Sequence, residues 1–165
     1  MKISVLIENT ACGADFKGQH GLSFYIESNG AKILFDCGAD GLFLENAEKL
    51  NINISEVDYL ILSHGHYDHG GGLKDFIEAN SKAKILLSKH VFGDYYFKVL
   101  FYKKYIGLDK SLKDNGRFIF VDRELKINNG AVIFSGITGE KYRSQKSKLL
   151  KRESNKFSKD DFKHE

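Results

Sequence analysis

The first part of the chain alternates polar turns with short apolar runs that are rich in β-branched and aromatic residues. Such runs span residues 2–8, 21–28 and 32–36, and Asn29-Gly30 separates the last two. Alternation with a period of two predicts strands, and Asn-Gly between two strands is a strong hairpin signal. The pattern therefore predicts an antiparallel opening sheet.

The pattern then changes between helical and extended periods. Residues 41–50 have helical apolar spacing, with Asp40 placed to cap them, and residues 73–79 repeat that spacing. Apolar runs at 57–62 and 83–88 predict strands on either side of the second helix. A strand, helix and strand in succession predict parallel strands with a helix packed across them.

The segment from Phe92 to Tyr105 is dense in aromatic residues. These rings could pack a core, which the spacing favours, or form a wall over a substrate cleft. Residues 117–121, 124–127 and 131–135 predict short strands, with a turn at residues 128–130.

Length and composition indicate one globular domain: the chain has 165 residues, 42% of them hydrophobic and 28% charged. No apolar run approaches the ~18 to 20 residues of a membrane span, and the opening lacks a signal-peptide pattern. We therefore expect a cytoplasmic protein with no membrane partner. Cys12 and Cys37 lack a Cys-x-x-Cys spacing and are expected to be reduced thiols.

Charge is unevenly distributed along the chain. Residues 141–165 carry nine Lys or Arg against four Asp or Glu. Such a segment could attract phosphates or nucleic acid, but it has no aromatic interleaving or groove-reading motif. We predict a domain over residues 1–140 and a basic, solvated and mobile tail or connection over residues 141–165, and we do not favour nucleic acid as a partner.

The densest chemical signal follows the strand at 57–62, where His64, His66, Asp68 and His69 fall within six residues beside several glycines. Imidazole and carboxylate groups suit zinc, iron or manganese, and a tight turn at a strand end can aim several of them at one point. The alternative is a polar surface loop that happens to be rich in histidine. The rigid strand before the loop and the helical pattern after it favour a metal site.

At these residues the chain resembles the metallo-β-lactamase-fold superfamily of metal-dependent hydrolases, whose signature is His-x-His-x-Asp-His. The resemblance implies an α/β fold, an αββα sandwich. It also implies that His64 and His66 hold a first metal, and Asp68 and His69 a second. Asp36, in a strand that ends in Asp-x-Gly, would lie beside this metal loop as an outer carboxylate that fixes an imidazole.

Three shorter stretches resemble a subgroup related to an archaeal dihydropterin ribofuranosyl-aminobenzene phosphate synthase. They are Ile7-Glu8-Asn9, residues 20–23 and residues 87–90. His20 and His90 lie in the last two stretches, so either could contact substrate near the metals, although a turn role is open for both. His164, in a charged segment, is expected to be solvated and not a ligand.

The resemblance also implies a third imidazole, a bridging carboxylate and a last histidine from later in the chain. His164 is the only histidine after His90, and residues 160–165 resemble the subgroup's segment just before the second half of the fold. We therefore expect the first half of the sandwich plus part of the connection. A homo-oligomer or a missing C-terminal half could then complete the site.

The resemblance implies a hydrolase in which two divalent metal ions, zinc first and iron or manganese as alternatives, activate a water molecule. Asp68 would be both a metal ligand and the catalytic group that orients the water. The expected substrate is a phosphorylated or ester-type small molecule. Two alternatives are a non-catalytic metal-binding half-domain and a nucleic-acid-processing metallo-hydrolase, the latter favoured by the basic tail.

Overall fold

The architecture is seen in a computed structural model, which describes residues 1–127, 130–136 and 148–165. The described strands are β1 (Lys2–Ile7), β2 (Ser23–Ser28), β3 (Ala31–Phe35), β4 (Tyr59–Ile61), β5 (Lys84–Ser88), β6 (Tyr95–Val99), β7 (Tyr102–Tyr105), β8 (Phe118–Val121), β9 (Glu124–Ile127), β10 (Ala131–Phe134), β11 (Leu149–Glu153) and β12 (Lys156–Lys159). The α-helices are α1 (Leu42–Lys49), α2 (Tyr67–Gly70) and α3 (Leu73–Ala79). Short 3-10 helices cover Ile54–Glu56 and Lys110–Leu112.

The central sheet has six strands in the order β1-β2-β3-β4-β5-β8. The first three strands pair antiparallel, and β3, β4, β5 and β8 run parallel to their neighbours. Asn29 and Gly30 turn the hairpin with φ of 49° and 81°, as a two-residue turn with two positive φ values requires. The predicted antiparallel opening and the parallel strands after it are both confirmed.

Helices α1 and α3 cover one face of this sheet. Phe43 of α1 and Phe76 of α3 are fully buried, and they belong to the same apolar cluster as Leu34, Leu60 and Ile85 from the strands. Gly41 occupies the cap position of α1, although the Asp40 carboxylate accepts a hydrogen bond from the Leu42 N–H. The helical periods at 41–50 and 73–79 are thus explained by burial of one face of each helix.

The opposite face carries a smaller apolar cluster, built from Ile33, Leu86, Val121 and Ile127. Strands β9 and β10 pair with each other antiparallel and contribute Leu125 to this cluster. The sheet is therefore covered on both faces, as buried parallel strands require.

A second sheet of four strands, in the order β12-β11-β6-β7, was not predicted. The aromatic segment folds as the β6–β7 hairpin, in which Tyr95 is buried and Phe101 is fully exposed. Packing in a core therefore explains only some of the aromatic residues in this segment. β11 pairs antiparallel with β6, joining Leu150 to Tyr96.

Part of the predicted solvated tail is built into this sheet: β11 and β12 pair with each other, β11 pairs antiparallel with β6, and the Lys151 side chain is only 15% exposed. Residues 141–147 lie outside the described residues, as do residues 128 and 129 of the predicted turn. The division of the chain at residue 140 remains a prediction. Among the described helices, none is long and apolar enough to cross a membrane.

Candidate metal centre

The site lies where the parallel strands end. Asp36 follows β3 directly, and Ser63 and His64 follow β4 after Leu62. Because β3 and β4 are neighbouring parallel strands, their carboxyl ends bring these side chains to one edge of the sheet. Asp36 has a φ of 58°, an uncommon backbone conformation for a residue other than glycine that turns the chain sharply at this point.

The metal loop, residues 63–72, folds tightly through α2 and onto the neighbouring backbone. A side chain at Gly65 would overlap the carbonyl of Val91, and one at Gly21, whose φ is 136°, would overlap the carbonyl of Asp68. The Leu22 N–H donates to this same Asp68 carbonyl at 3.3 Å. Glycine is therefore required at both positions for the loop to seat against its surroundings.

Asp36 organises the loop through hydrogen bonds to each of its oxygens. Its Oδ1 accepts from the Ser63 N–H at 2.7 Å, and its Oδ2 accepts from the Ser63 hydroxyl at 2.7 Å. His69 Nδ1 lies 2.7 Å from the same Oδ2. Because a carboxylate only accepts hydrogen bonds, His69 carries its proton on Nδ1 and its free lone pair on Nε2.

The same reasoning assigns the proton of His64. The single hydroxyl proton of Ser63 is directed to Asp36, so the 2.9 Å contact between Ser63 Oγ and His64 Nδ1 requires His64 to donate. The lone pair of His64 is then on Nε2. Asp36 thus fixes the tautomer of His69 directly and that of His64 through Ser63.

His64, Asp68 and His69 each present one ligand atom, and these atoms lie within 4.8 Å of one another. Burial, followed by the charges of neighbouring imidazoles, lowers the pKa of His64 to about 2, so its ring is neutral. Burial acts to lower the pKa of His69, but the hydrogen bond and charge of Asp36 outweigh it and raise that pKa. Two oriented imidazole lone pairs and one carboxylate form a donor set that fits a divalent metal ion.

His66 faces a different group of residues. Ligand atoms of His66, Asp160 and His164 lie within 4.8 Å of one another, and all three residues are buried. Asp68 and His69, which the resemblance pairs, lie in one group together with His64, and the assignment of His64 with His66 to a first metal remains a prediction. The rings of His64 and His66 nonetheless lie side by side, with centroids 4.6 Å apart.

The prediction that His164 is solvated is wrong. Its side chain is fully buried, its Nδ1 accepts a hydrogen bond from the Gly65 N–H at 2.9 Å, and its ring lies 3.9 Å from that of Tyr95. Burial acts to raise the pKa of Asp160, but interactions with His164 and His66 outweigh it and hold that pKa below its usual value. Asp160 is therefore an anion in a buried position.

The sequence analysis named Asp160 only as part of a terminal segment and took His164 for a solvated residue. Both residues lie in a charged segment that looks solvent-exposed in the sequence. A buried pair of polar residues leaves no periodic pattern of apolar residues that could reveal it. The resemblance of residues 160–165 to a segment of the subgroup was the one signal that could have found them.

The two predicted substrate histidines occupy different environments. The His20 side chain is 76% exposed, and its Nε2 lies 3.4 Å from Asp68 Oδ2, while its Nδ1 lies 2.9 Å from Asn9 Oδ1. His90 is also exposed. The structure therefore brings His20 beside the predicted ligand Asp68, and the substrate role of His90 remains a prediction.

Comparison with known proteins identifies the class to which this fold and site belong. The sequence matches the metallo-beta-lactamase superfamily over residues 17–142, and the chain belongs to that superfamily. The predicted α/β fold is confirmed by a solved structure, that of Tm1679, a metal-dependent hydrolase of the β-lactamase superfamily. The two share 28% identity with a TM-score of 0.80, over 99% of this chain and 58% of that one.

Two relatives come from Methanocaldococcus jannaschii. An uncharacterised protein is 40% identical over 113 residues, covering 68% of this chain and 42% of the relative. The enzyme 7,8-dihydropterin-6-methyl-4-(beta-D-ribofuranosyl)-aminobenzene-5'-phosphate synthase is 43% identical over 99 residues, covering 56% of this chain and 34% of the enzyme. The chain thus spans less than half the length of these curated relatives.

A shorter match joins the chain to a UPF0173 metal-dependent hydrolase of Staphylococcus aureus. It is 38% identical over 68 residues, covering 39% of this chain and 26% of that protein. Two of the proteins similar to this chain, the UPF0173 protein and Tm1679, are therefore named as metal-dependent hydrolases.

Proposed function

We propose that this chain binds divalent metal ions at the metal loop and takes part in the hydrolysis of a phosphorylated or ester-type small molecule. The observation that carries the proposal is the donor set of His64, Asp68 and His69. Its imidazole lone pairs are oriented by Asp36 and Ser63, and its ligand atoms lie within 4.8 Å of one another. Zinc is the proposed ion, since it favours imidazole nitrogen and carboxylate oxygen as ligands.

Metal ions held here would polarise the substrate and make a water molecule more acidic. The residues of the chain have separate parts in this proposal. His64 and His69 would bind metal through Nε2, and Asp68 would bind through its carboxylate and orient the attacking water. Asp36 would hold the His69 ring by a direct hydrogen bond and the His64 ring through Ser63, as outer carboxylates usually do.

The exposed imidazole at the site supports the proposed substrate class. His20 is exposed beside Asp68, where its imidazole can donate a hydrogen bond to an oxygen of a phosphoryl or carboxyl group. A small anionic ester fits this arrangement. The superfamily alone does not specify the substrate, because one fold supports unrelated chemistries.

Metal stoichiometry and turnover of the purified chain test this proposal. We expect zinc to remain bound after dialysis, and we expect Asp68→Asn to lower both the bound zinc and the hydrolysis of a nitrophenyl phosphodiester. Asp114→Asn, at an exposed carboxylate distant in sequence from the metal loop, is the matched control. It should retain the zinc content and the hydrolysis rate of the unaltered chain. Equal zinc content in the Asp68→Asn variant and the control would refute the site.

Nucleic acid as a substrate is a second candidate, favoured by the sheet of β6, β7, β11 and β12. Tyr102 is 68% exposed and Phe157 40% exposed, and Lys103 lies over the Phe157 ring at 4.2 Å. Exposed aromatic rings among lysines can stack bases and neutralise phosphates. Salt-sensitive binding of single-stranded RNA, lost in Lys103→Glu, would favour this candidate over a small ester.

A further inference from the structure

Each of the three imidazoles of the metal loop has one nitrogen that faces an oxygen of another residue. For His64 the oxygen is Ser63 Oγ at 2.9 Å, and for His69 it is Asp36 Oδ2 at 2.7 Å. For His66 the facing oxygen is Asp160 Oδ2, 3.7 Å from Nε2. His66 Nε2 is buried and has no hydrogen-bond partner among the described residues.

Asp36 and Asp160 each face one imidazole of the loop, Asp36 at 2.7 Å from His69 Nδ1 and Asp160 at 3.7 Å from His66 Nε2. The side chains of both are fully inaccessible, and each faces one imidazole of the loop from a different part of the chain. An imidazole that binds metal through one nitrogen usually donates the N–H of the other to a carboxylate, which fixes the ring orientation. Asp36 already accepts from His69 in this way, and Asp160 would accept from His66 Nε2 after a small shift that shortens their 3.7 Å separation.

His164 holds Asp160 in this position and ties it to the loop. Its Nδ1 accepts from the Gly65 N–H at 2.9 Å, so its proton is on Nε2, which lies 3.1 Å from Asp160 Oδ2. Because neither nitrogen of His164 has a free lone pair, this ring is not a metal ligand in the observed arrangement, although it lies close enough to be one.

The segment that carries the pair is anchored independently of the metal loop. Asp160 Oδ1 accepts from the Phe162 N–H at 2.9 Å, and the Ser88 hydroxyl at the end of β5 donates to the Lys163 carbonyl at 3.0 Å. Phe162 has a φ of 55°, a costly conformation for this residue type that the surrounding contacts maintain. The carboxylate therefore reaches His66 from a fixed support.

We propose that Asp160 and His164 are positioning residues for the metal centre. Asp160 orients the His66 ring through Nε2, so that Nδ1 is available to a metal ion, and His164 fixes both Asp160 and the loop backbone at Gly65. The role of Asp160 toward a metal ion rests on the proposed function. The hydrogen bond between His164 and Gly65 does not, because it is present in the metal-free protein.

Nitrogen-15 NMR of the imidazoles, recorded on the chain without metal and again with zinc, tests the assignment for His164. We expect the Nε2–H tautomer in both spectra. His164→Phe keeps a ring but removes both nitrogens, so hydrogen exchange of the Gly65 amide should become at least about tenfold faster. His164→Asn places an oxygen that can accept near the Nδ1 position, so slow exchange of this amide should return. A zinc-induced loss of the Nε2 proton would show that His164 is a ligand and overturn the proposal.

Zinc affinity, measured by competition with a chelator, tests Asp160. Asp160→Asn keeps the shape of the side chain and should weaken zinc binding by about 10- to 100-fold, with a changed absorption spectrum when cobalt replaces zinc. Asp161→Asn, at the half-buried neighbouring carboxylate that pairs with Lys151, is the control and should bind as the unaltered chain.

Equal affinity in the two folded variants would overturn the orienting role of Asp160. If the unaltered chain binds no metal, the proposed function fails instead. The tautomer of His164 and the exchange rate of Gly65 in the metal-free protein then decide the remaining part of the proposal, because unchanged Gly65 exchange in His164→Phe would refute it.

Discussion

Asp36 Oδ2 lies 2.7 Å from His69 Nδ1, a contact between residues 33 positions apart in the chain. It joins the end of β3 to the loop after β4, and it depends on the parallel pairing of these strands. The scaffold thus determines the orientation of an imidazole before any metal is bound, which reduces the ordering needed on binding.

Replacing Asp36 should therefore weaken metal binding. Asp36→Ala removes the acceptor for His69 Nδ1 and for both donors of Ser63, so the tautomers of His69 and His64 are no longer fixed. We expect zinc affinity to fall by about 10- to 100-fold, measured by chelator competition. Circular dichroism verifies that the variant is folded, and an unchanged affinity in a folded variant would remove Asp36 from the site.

Gly21 should be far less tolerant of substitution than Gly116. An alanine at Gly21 would have to adopt a φ of 136° and would overlap the Asp68 carbonyl, whereas a side chain at Gly116 meets no atom within 4 Å. We expect Gly21→Ala to lower the free energy of unfolding by about 2 kcal/mol or more, with Gly116→Ala near neutral. Urea unfolding curves measure both, and equal stabilities would contradict the close approach seen at Gly21.

Local sequence pattern predicted the metal loop, whereas the position of Asp36 beside it was implied by the family resemblance. The apolar run before His64, the glycines around it and the Asp-x-Gly strand end each depend on neighbouring residues, and the parallel pairing of β3 with β4 follows from the helix between them. Which imidazoles come close together in space depends instead on their side-chain χ angles and tautomers. The separation of the histidines by two or three residues in the sequence does not determine these.

The sheet of β6, β7, β11 and β12 could not be predicted in the same way. Leu150 pairs with Tyr96, and no local signal records a pairing between segments so distant in sequence. Once β11 is placed, the following residues are carried to the metal loop, where His164 becomes buried. The error about His164 was therefore a consequence of missing this sheet, since the charges around it are typical of an exposed segment.

Asn80 is predicted to be one of the least replaceable polar residues outside the site. Its side chain amide donates to the carbonyls of Ile54, Ser55 and Val57, and its oxygen accepts from the Lys82 and Ala83 N–H groups. Asn80→Asp keeps the shape but replaces the donor with an acceptor that faces three carbonyls. We expect a loss of about 3 kcal/mol in the free energy of unfolding. A thermal midpoint equal to that of the unaltered chain would contradict this network.

His20 should affect anion binding without affecting metal binding. Its ring is exposed beside Asp68, so it can donate to an anion held at the proposed centre, but its removal leaves the hydrogen bonds of Asp36 and Ser63 intact. For the zinc-loaded chain we expect His20→Ala to weaken the binding of inorganic phosphate by about five- to tenfold, the equivalent of roughly 1 to 1.4 kcal/mol for one hydrogen bond. Isothermal titration calorimetry measures the phosphate affinity. Chelator competition should give a zinc affinity within about twofold of that of the unaltered chain, a difference in binding free energy below ~0.5 kcal/mol.

Cys12→Ser, at an exposed residue in the segment between β1 and β2, is the control. A parallel loss of zinc and phosphate affinity would instead make His20 part of the metal site, and unchanged phosphate binding would exclude it from the anion site.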